Sequence, residues 1–390
     1  MEHIIIRNSR SEVVVVNLGD LRARFAKLTD TRQSRGRVYP LSYLLIVILL
    51  AKLSGQHTPT GITEWIRFRG LQLLQALTAH WPPAPSLNTI RRTLSNSVLA
   101  AELQAACRHF LHEGYGGQQT KLVAIDGKTM RGTIAKGSTQ GVHLLTAYLP
   151  EEGVTLAQEV VSNQENELVA APRLLAQLDL KRKVVSGDAM FAQRELSVEV
   201  IARGGDYLWF VKENQPTLHR DVQRFFQETP SRPGWSRPSL PQSSASQANK
   251  GHGRLEQRTL TAIADETAYL NWPAAEQVFK IERRSQCLRT GNWSQETRYG
   301  ITSLTPERAS SRRLLQLVRG HWGIENGLHY RRDTTMREDQ TRMSHSTQAQ
   351  VMAVLNNFAI GLARNLGFDN LASAQRCLDA AISAALRDFL

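Results

Sequence analysis

The amino-acid sequence predicts a mixed α/β protein with a helical N-terminal region. Three observations predict this class: helical apolar spacing in the first third, strand-like apolar runs from residue 121 onward, and helical spacing between and after those runs. A chain of 390 residues can bury a substantial core and form two or three domains.

The first third of the chain has helical apolar spacing in residues 20–28, 40–54, 60–79 and 87–112. The run LSYLLIVILLAKL (41–53) is shorter than the ~20 residues that a membrane span needs, so it predicts a buried core helix. The stretch SLNTIRRTL (86–94) begins with a serine N-cap and carries two arginines, as the second helix of a helix-turn-helix would. A solvated face of a packing helix explains this stretch equally well.

Strand-like and helical runs alternate after residue 120. In order they are strands at 121–126, 143–150 and 154–162, a helix at 165–180, a strand at 183–190, a helix at 192–205 and a strand at 207–214. An antiparallel meander continued by α/β crossovers is the order of ribonuclease H-like folds, and the right-handed crossover rule favours one mixed sheet.

Residues 215–306 interrupt this order with a β-rich insertion. The Pro, Ser and Gln-rich segment 230–251 predicts a mobile loop, and strand-like runs follow at 254–263, 275–286 and 297–304. Helical spacing resumes at residues 307–333. We therefore predict an N-terminal helical domain (1–115), which could bind DNA through the stretch 86–94, and a first part of the ribonuclease H-like core (116–214). The β-rich insertion (215–306) and C-terminal helices that complete the core (307–390) follow.

The charge balance points to a polyanionic partner. Lys and Arg number 48 against 35 Asp and Glu, which gives a net charge of +13, and arginine supplies 38 of the cations. Arginine's planar fork suits bidentate contacts with phosphate. Three distant cysteines predict neither a disulfide framework nor a thiolate zinc site. The N-terminus lacks the pattern of a secretory signal, so we expect a cytoplasmic protein.

Three acidic residues occupy positions that suit phosphodiester chemistry. Asp126 and Asp188 close two strands expected to be neighbours, and Glu325 lies on the returning helix. Oxygen ligands in this order could hold two hard cations about 3.5 to 4 Å apart on either side of a scissile phosphate. Each acid alone has an ordinary explanation as a turn residue, a cap or half of a surface ion pair. Their joint occurrence in this element order favours a metal site.

Several blocks of the sequence carry a resemblance to a known family. They are VAIDGKTMRGT, SGDAMFAQRE, LWFVKENQPTL, NKGHGRLEQR, HWGIENGLHYRRDTTMREDQTRM and AQVMAVLNNFAIGLARNLG. Together they resemble the ISAs-type, H-repeat-associated insertion-sequence transposases, which are bacterial DDE transposases. The resemblance spans roughly residues 15 to 370, and the block around Glu325 is its longest and most specific part.

The resemblance implies a ribonuclease H-like core that uses two Mg²⁺ ions, for which Mn²⁺ would substitute, to cut element ends and transfer 3′-OH strands to target DNA. Asp126, Asp188 and Glu325 match the family's catalytic and metal-binding acids. The implied partners are the terminal inverted repeats and target DNA, both double-stranded, and a second copy of the chain in a homodimeric active complex. No membrane association is implied, and the expected place is the bacterial cytoplasm at the nucleoid.

The chain departs from the signature of the larger related group of transposases. There an aromatic residue and an arginine precede the glutamate and a lysine follows it, whereas Val318, His321 and Arg332 stand at these positions here. The resemblance thus implies that His321 contacts a phosphate. On an α-helix His321, Glu325, His329 and Arg332 would share one face, so we predict phosphate contacts for both histidines and Arg332.

Further basic residues are candidates for DNA contacts. Lys128 and Arg131 closely follow Asp126, which predicts phosphate contacts near the metals. In the insertion, the alternation of Lys250, Arg254 and Arg258 predicts either a DNA-backbone contact or a charged, solvated edge strand. We expect Glu338 and Asp339 to pair with Arg337 and Arg342.

Other classes of protein fit the sequence less well. A zinc site on His321 and His329 is disfavoured, since two helical turns separate them by about 12 Å. A glycoside hydrolase with paired carboxylates would leave the basic excess unexplained. The serious alternative is a noncatalytic or domesticated transposase-derived DNA-binding protein.

Overall fold

The structure, a computed structural model, describes residues 1–8, 10–35, 37–77, 84–112, 121–227, 241–251 and 253–387. The chain divides into two compact units. We call them the helical unit, which contains Met1–Gly117, Gly127–Asn166 and Glu325–Leu390, and the sheet unit, which contains Gln118–Asp126 and Glu167–Ile324.

Within the described residues the strands are β1 (His3–Arg7), β2 (Val13–Asn17), β3 (Lys121–Met130), β4 (Val142–Leu149), β5 (Val154–Val161), β6 (Lys183–Gly187), β7 (Asp206–Val211), β8 (Gln242–Gly251), β9 (Arg254–Ala264), β10 (Gln277–Cys287) and β11 (Trp293–Thr302). The α-helices are α1 (Leu18–Ala26), α2 (Leu41–Leu53), α3 (Pro59–Phe68), α4 (Gly70–Ala76), α5 (Leu87–Arg92), α6 (Ala100–His112), α7 (Glu167–Ala176), α8 (Arg194–Ala202), α9 (Pro216–Phe225), α10 (Ser311–His321), α11 (Tyr330–Thr334), α12 (Ser346–Asn365) and α13 (Leu371–Arg387).

The helical unit is built around two apolar helices, α2 and α12. Nearly every side chain of α2 is buried, Lys52 included, as its continuous apolar sequence predicts. Most of α12 is buried too, and its Phe358 packs against Phe110 of α6 with ring centroids 5.7 Å apart. Helices lie in all four stretches predicted in the first third. The stretch 60–79 divides into α3 and α4, with residues 78 and 79 outside the described residues, and 87–112 divides into α5, a π-helical segment and α6. β1 and β2 add an antiparallel hairpin before them. No helix in the described part of the chain has both the length and the apolar character needed to cross a membrane.

The sheet unit contains a mixed sheet in the order β3-β6-β7-β11-β10-β9-β8. β3, β6 and β7 are parallel, whereas β7, β11, β10, β9 and β8 pair antiparallel. Only the first six residues of β3 belong to this unit. Leu122, Val184, Leu208 and Phe279 form its core together with the apolar face of α10. The predicted mixed α/β class is therefore confirmed.

Two predicted boundaries and one missing helix need correction. β3 continues for four residues beyond Asp126, so Asp126 lies inside the strand rather than at its end. Residues 242–251, predicted as part of a mobile loop, form β8, because β9 supplies hydrogen bonds to a segment that lacks apolar periodicity. Residues 230–240 of that loop lie outside the described residues. The helix α9 was not predicted. The division into four domains stays a prediction.

The returning helix is not one regular α-helix. α10 begins at the Ser310 cap, whose side chain accepts a hydrogen bond from Arg313 N, and it ends at His321. A turn at Trp322 follows, and Glu325–His329 form a π-helical segment that leads into α11. A π-helical turn holds more residues than an α-helical turn, so side chains beyond it point in directions that α-helical spacing does not predict.

Candidate active site

Asp126 lies in β3, and Asp188 follows directly after β6, the parallel neighbour of β3 in the sheet unit. The last pair in the register of β3 with β6 is Ala124 with Ser186, and each aspartate follows two residues later in its own chain segment. Neighbouring strands are about 4.8 Å apart, so the two carboxylates extend from adjacent positions. The predicted neighbour relation of their strands is confirmed.

The turn after β6 presents Asp188. Its carboxylate accepts a hydrogen bond from Met190 N at 2.9 Å and so caps the short 3₁₀ turn that follows. Gly187 permits this turn, because a Cβ there would lie 2.6 Å from Cδ2 of the buried Phe191. Asp188 itself is exposed. It therefore serves as the cap that its position suggests, and its carboxylate remains accessible to a ligand.

His321 is a buried residue of the sheet unit and does not suit the predicted phosphate contact. Its side chain is 5 % exposed, its Nδ1 lies 3.0 Å from Ser186 Oγ, and its ring packs against Phe210 and Trp322. Burial lowers the pKa of His321 to about 4, although the charge of Asp126 opposes this shift. The imidazole is therefore neutral near pH 7. Its hydrogen bond fixes the end of α10 against Ser186 of β6, which precedes Asp188 by two residues.

Glu325 and His329 form a pair in the helical unit. Glu325 opens the π-helical segment and its side chain is 59 % exposed, whereas His329 is buried. His329 Nδ1 lies 3.3 Å from Glu325 Oε2, so a carboxylate oxygen and an imidazole nitrogen that could bind a metal lie within 4.8 Å of each other. Burial leaves His329 little surface for the predicted phosphate contact, and its contact with Glu325 points to a role in orienting that carboxylate.

Arg332 is fully buried, so its side chain is not presented for the predicted contact with DNA. Arg332 has no exposed surface, and its Nε donates to both carboxylate oxygens of Glu338 at 2.9 and 3.0 Å. Glu338 also accepts a hydrogen bond from Asn356 Nδ2 at 2.9 Å. Glu338 therefore pairs with Arg332 rather than with the expected Arg337 or Arg342. The irregular helix places Arg332 in the interior. Regular α-helical spacing would instead have placed it on the same face as Glu325.

Lys128 and Arg131 differ in their availability to a phosphate. Lys128 Nζ lies 2.7 Å from Asp333 Oδ1 and 3.8 Å from Asp339 Oδ1, and its side chain is nearly buried. Arg131 is exposed, although its backbone N–H donates to Asp339 Oδ1 and its Nε lies 3.9 Å from Oδ2. The structure thus holds the charge of Lys128 among acids and leaves the guanidinium of Arg131 facing solvent.

The basic residues of the insertion lie on β8 and β9 in the sheet unit. Lys250 and Arg254 are exposed near the connection between these strands, and Arg258 contacts Glu256, which also contacts Arg283. Arg258 is thus partly neutralised, while the other two cations face solvent. A DNA contact by these three residues stays a prediction.

Two supporting contacts were not predicted from the sequence. Ser186 fixes His321, and Asp333 holds Lys128. A serine inside an apolar strand, in the run KVVSGD, is a recognisable signal, because a buried hydroxyl needs a partner. Asp333 gives no such signal, since its partner is 205 positions away in the sequence.

Comparison with known proteins identifies the family. Residues 117–362 match the family model of the transposase DDE domain, and residues 22–111 match the model of a region associated with that domain. YhhI of Escherichia coli strain K12, provisionally named an H repeat-associated transposase, is 26 % identical over 359 residues, which cover 90 % of this chain and 92 % of YhhI.

Two further relatives cover much of the chain. YncI of Escherichia coli O157:H7, provisionally named a transposase, is 27 % identical over 87 % of this chain and 85 % of its own length. An uncharacterized protein in the dhlA 3′ region of Xanthobacter autotrophicus is 31 % identical over 73 % of this chain and 94 % of its own length. These matches confirm the resemblance seen in the sequence. The chain belongs to the transposase DDE domain family.

Proposed function

We propose that this protein is the transposase of a bacterial insertion sequence, which cuts the element's ends and transfers the 3′-OH strands to target DNA. The observation that carries the proposal is the placement of Asp126 in β3 and of Asp188 directly after β6, each two residues beyond the last paired position of these parallel strands, in a chain of the transposase DDE family. Phosphodiester cleavage needs acidic side chains clustered in this way, because they hold the cations that neutralise the reacting phosphate.

We further propose that the catalytic core is ribonuclease H-like. The order of elements along the chain supports this assignment: β3, β4 and β5 come first, and α7, β6, α8 and β7 follow. β4 pairs antiparallel with β5, and β3, β6 and β7 are parallel. An antiparallel run followed by α/β crossovers is the arrangement predicted from the sequence.

The proposed third acid is Glu325. It comes four residues after His321, whose ring is hydrogen-bonded to Ser186, and Ser186 precedes Asp188 by two residues. The four-residue step from His321 to Glu325 and the two-residue step from Ser186 to Asp188 support a site in which Glu325 joins the two aspartates. The contact of Glu325 with His329 would restrict its rotamers and so orient the carboxylate.

The donor set fits magnesium. Asp126, Asp188 and Glu325 offer carboxylate oxygens, the ligands that Mg²⁺ and Mn²⁺ prefer. Two such ions, when bound, would activate the attacking oxygen and neutralise charge on the leaving oxygen. Among the protein's own groups, the exposed Arg131 could hold a nonbridging phosphate oxygen, whereas Lys128 is engaged by Asp333 and Asp339.

The proposed partners follow from the reaction. They are double-stranded DNA, as terminal inverted repeats and as target, and a second copy of the chain in the active complex. The expected setting, the bacterial cytoplasm at the nucleoid, follows from this DNA substrate. The alternative, a noncatalytic transposase-derived protein, would bind DNA but would not cut it in the presence of Mg²⁺.

The test is metal-dependent cleavage of DNA that carries the element's ends. We expect Asp126→Asn, Asp188→Asn and Glu325→Gln each to lower cleavage by at least about 100-fold while DNA binding persists, because the amide keeps the shape but removes the anionic oxygen. Asp179→Asn is a matched control, since Asp179 accepts a hydrogen bond from the N–H two residues later, as Asp188 does.

Thermal unfolding of each variant shows whether it remains folded. Wild-type cleavage by Asp126→Asn or Asp188→Asn would remove that residue from the mechanism. Equal cleavage by wild type with and without Mg²⁺ or Mn²⁺ would overturn the proposed chemistry.

A further inference from the structure

The helical unit contains a basic cleft of about 680 Å³ that the proposed reaction does not use. Three chain segments line it: the start of α3, the end of α5 with the residues after it, and the segment that leads into α12. Its cationic side chains are Arg91, Arg92 and Arg342, and His345 also lines it. The described residues that line this cleft include no aspartate or glutamate, so its charge is uniformly positive or neutral.

The sequence SLNTIRRTL places two arginines at the cleft. Ser86 caps α5 by accepting a hydrogen bond from Thr89 N at 3.2 Å. Ile90 and Leu94 face the core, so the adjacent Arg91 and Arg92 are exposed. The helix continues through a π-helical segment, Thr93–Ser97, where Ser97 Oγ donates to Arg92 O at 3.1 Å. Both guanidinium groups therefore extend from an anchored backbone.

A tight backbone contact anchors the segment that carries Arg342. A Cβ at Gly132 would lie 2.2 Å from Thr341 O, and Met343 N donates to Gly132 O at 3.2 Å. Arg342 Nη1 donates to Ile134 O at 3.1 Å, which holds one edge of the guanidinium and leaves its other N–H groups for a ligand. Arg342 thus joins the cleft as a positioned cation.

The start of α3 adds a partial positive charge. Thr58 is the N-cap of this ten-residue helix and accepts a hydrogen bond from Gly61 N, and Thr58, Pro59 and Thr60 line the cleft. The amino end of a helix favours anions, and here it lies in the same cleft as three arginines. Hydroxyl and amide side chains, Ser95 and Asn96 among them, supply neutral hydrogen-bonding groups.

We propose that this cleft binds the sugar-phosphate backbone of the double-stranded DNA on which the protein acts; the proposal rests on the proposed function. Arginine forks without neighbouring acids suit phosphate oxygens, and backbone contacts set the position and direction of a duplex. Within the stretch 86–94, Arg91 and Arg92 then hold the DNA backbone, as the exposed basic face of a helix whose other side packs in the core.

The test is the salt dependence of DNA binding by Arg91→Gln/Arg92→Gln in the full-length protein. The probe is a fluorescent duplex of about 30 base pairs and mixed sequence, in EDTA, titrated at about 50 to 200 mM NaCl. We expect the slope of log affinity against log salt to become shallower by about 2, at about 0.9 per phosphate contact, and the affinity at about 100 mM salt to fall at least tenfold.

Lys181→Gln/Arg182→Gln is the matched control. These two adjacent basic residues are also exposed, and they lie before β6, at the opposite end of that strand from Asp188. The control loses the same two charges and should keep the wild-type slope. Arg342→Gln should lower the slope by about 1, which tests the third cation separately.

The outcomes separate the cleft from the proposed reaction. If Arg91→Gln/Arg92→Gln keeps the wild-type salt dependence of DNA binding while the wild type cuts end-containing DNA in Mg²⁺, the cleft does not bind the DNA backbone and the transposase function still holds. Absence of salt-dependent duplex binding by the wild type would overturn both. A weakened slope together with wild-type cleavage at saturating protein would support a backbone-holding cleft that is separate from the metal-binding acids.

Discussion

Glu338 is the carboxylate of a polar cluster enclosed in the helical unit, and its substitution should have a large effect on stability. Glu338 is 1 % exposed and accepts hydrogen bonds from Arg332 Nε and Asn356 Nδ2. Glu338→Gln keeps the size of the side chain but removes its charge. The Arg332 guanidinium would then be fully buried without a counter-ion.

The expected loss is about 3–5 kcal/mol of unfolding free energy, the usual cost of removing one partner from a buried ion pair. The buried Lys52 should make this loss of unfolding free energy larger. Its ammonium is buried, it makes no hydrogen bond to the described residues, and Glu338 is the charge that favours its protonated form. Replacement of both partners, as Arg332→Met/Glu338→Leu, should cost less than Glu338→Leu alone, since no unpaired Arg332 charge remains.

Urea unfolding followed by circular dichroism measures these differences. Asp20→Asn is the control, because Asp20 pairs with Arg24 one turn away on a partly exposed helical surface, and the loss of such a pair should cost less than about 1 kcal/mol. A Glu338→Gln protein within about 1 kcal/mol of the wild type would refute the account. So would a double variant that is less stable than Glu338→Leu.

Two predictions concern pH. Burial lowers the pKa of Lys52 from 10.5 to about 8. Between these two values the unfolded chain binds more protons than the folded one, so the unfolding free energy should rise with pH. Lys52→Met should remove this rise and add roughly 2–3 kcal/mol to the unfolding free energy near pH 7; urea titrations at several pH values that show an unchanged rise would contradict the prediction. Burial lowers the pKa of His321 from 6.5 to about 4, so the metal-free protein should lose stability as pH falls from 6.5 toward 4. His321→Gln should lessen that loss, whereas His109→Gln, at an exposed position, should not. Equal acid sensitivity of the two variants would show that His321 is not the cause of the loss.

The element order was predictable because strands and helices were apolar with clear periods. β3, β6 and β7 each contain a run of buried apolar residues, and their parallel pairing agrees with the predicted mixed sheet. β8 was missed for the opposite reason. Its sequence QSSASQANKG has no apolar alternation, and its strand form depends on pairing with β9, which a local pattern cannot show.

The proposed metal-binding acids could be named from the sequence, whereas the surroundings of the basic residues could not. Asp126, Asp188 and Glu325 stood out through position and resemblance. The burial of Arg332 could not be foreseen, because it depends on the π-helical segment before it and on a chain reversal after it at Arg337, whose φ is +49°. Sequence spacing assumes a regular helix, and neither irregularity leaves a signature in apolar periodicity.

β8 has a further consequence for the stability of its sheet. It is exposed along almost its whole length, Ala245 is its partly buried apolar contact with the core, and hydroxyl pairs such as Ser246 with Thr259 link it to β9. Little apolar area holds such a strand in place, so its amide hydrogens should exchange with solvent sooner than those of β10. Transient detachment would uncover the backbone of β9, and the polar and charged side chains there would discourage other chains from pairing with it and initiating aggregation.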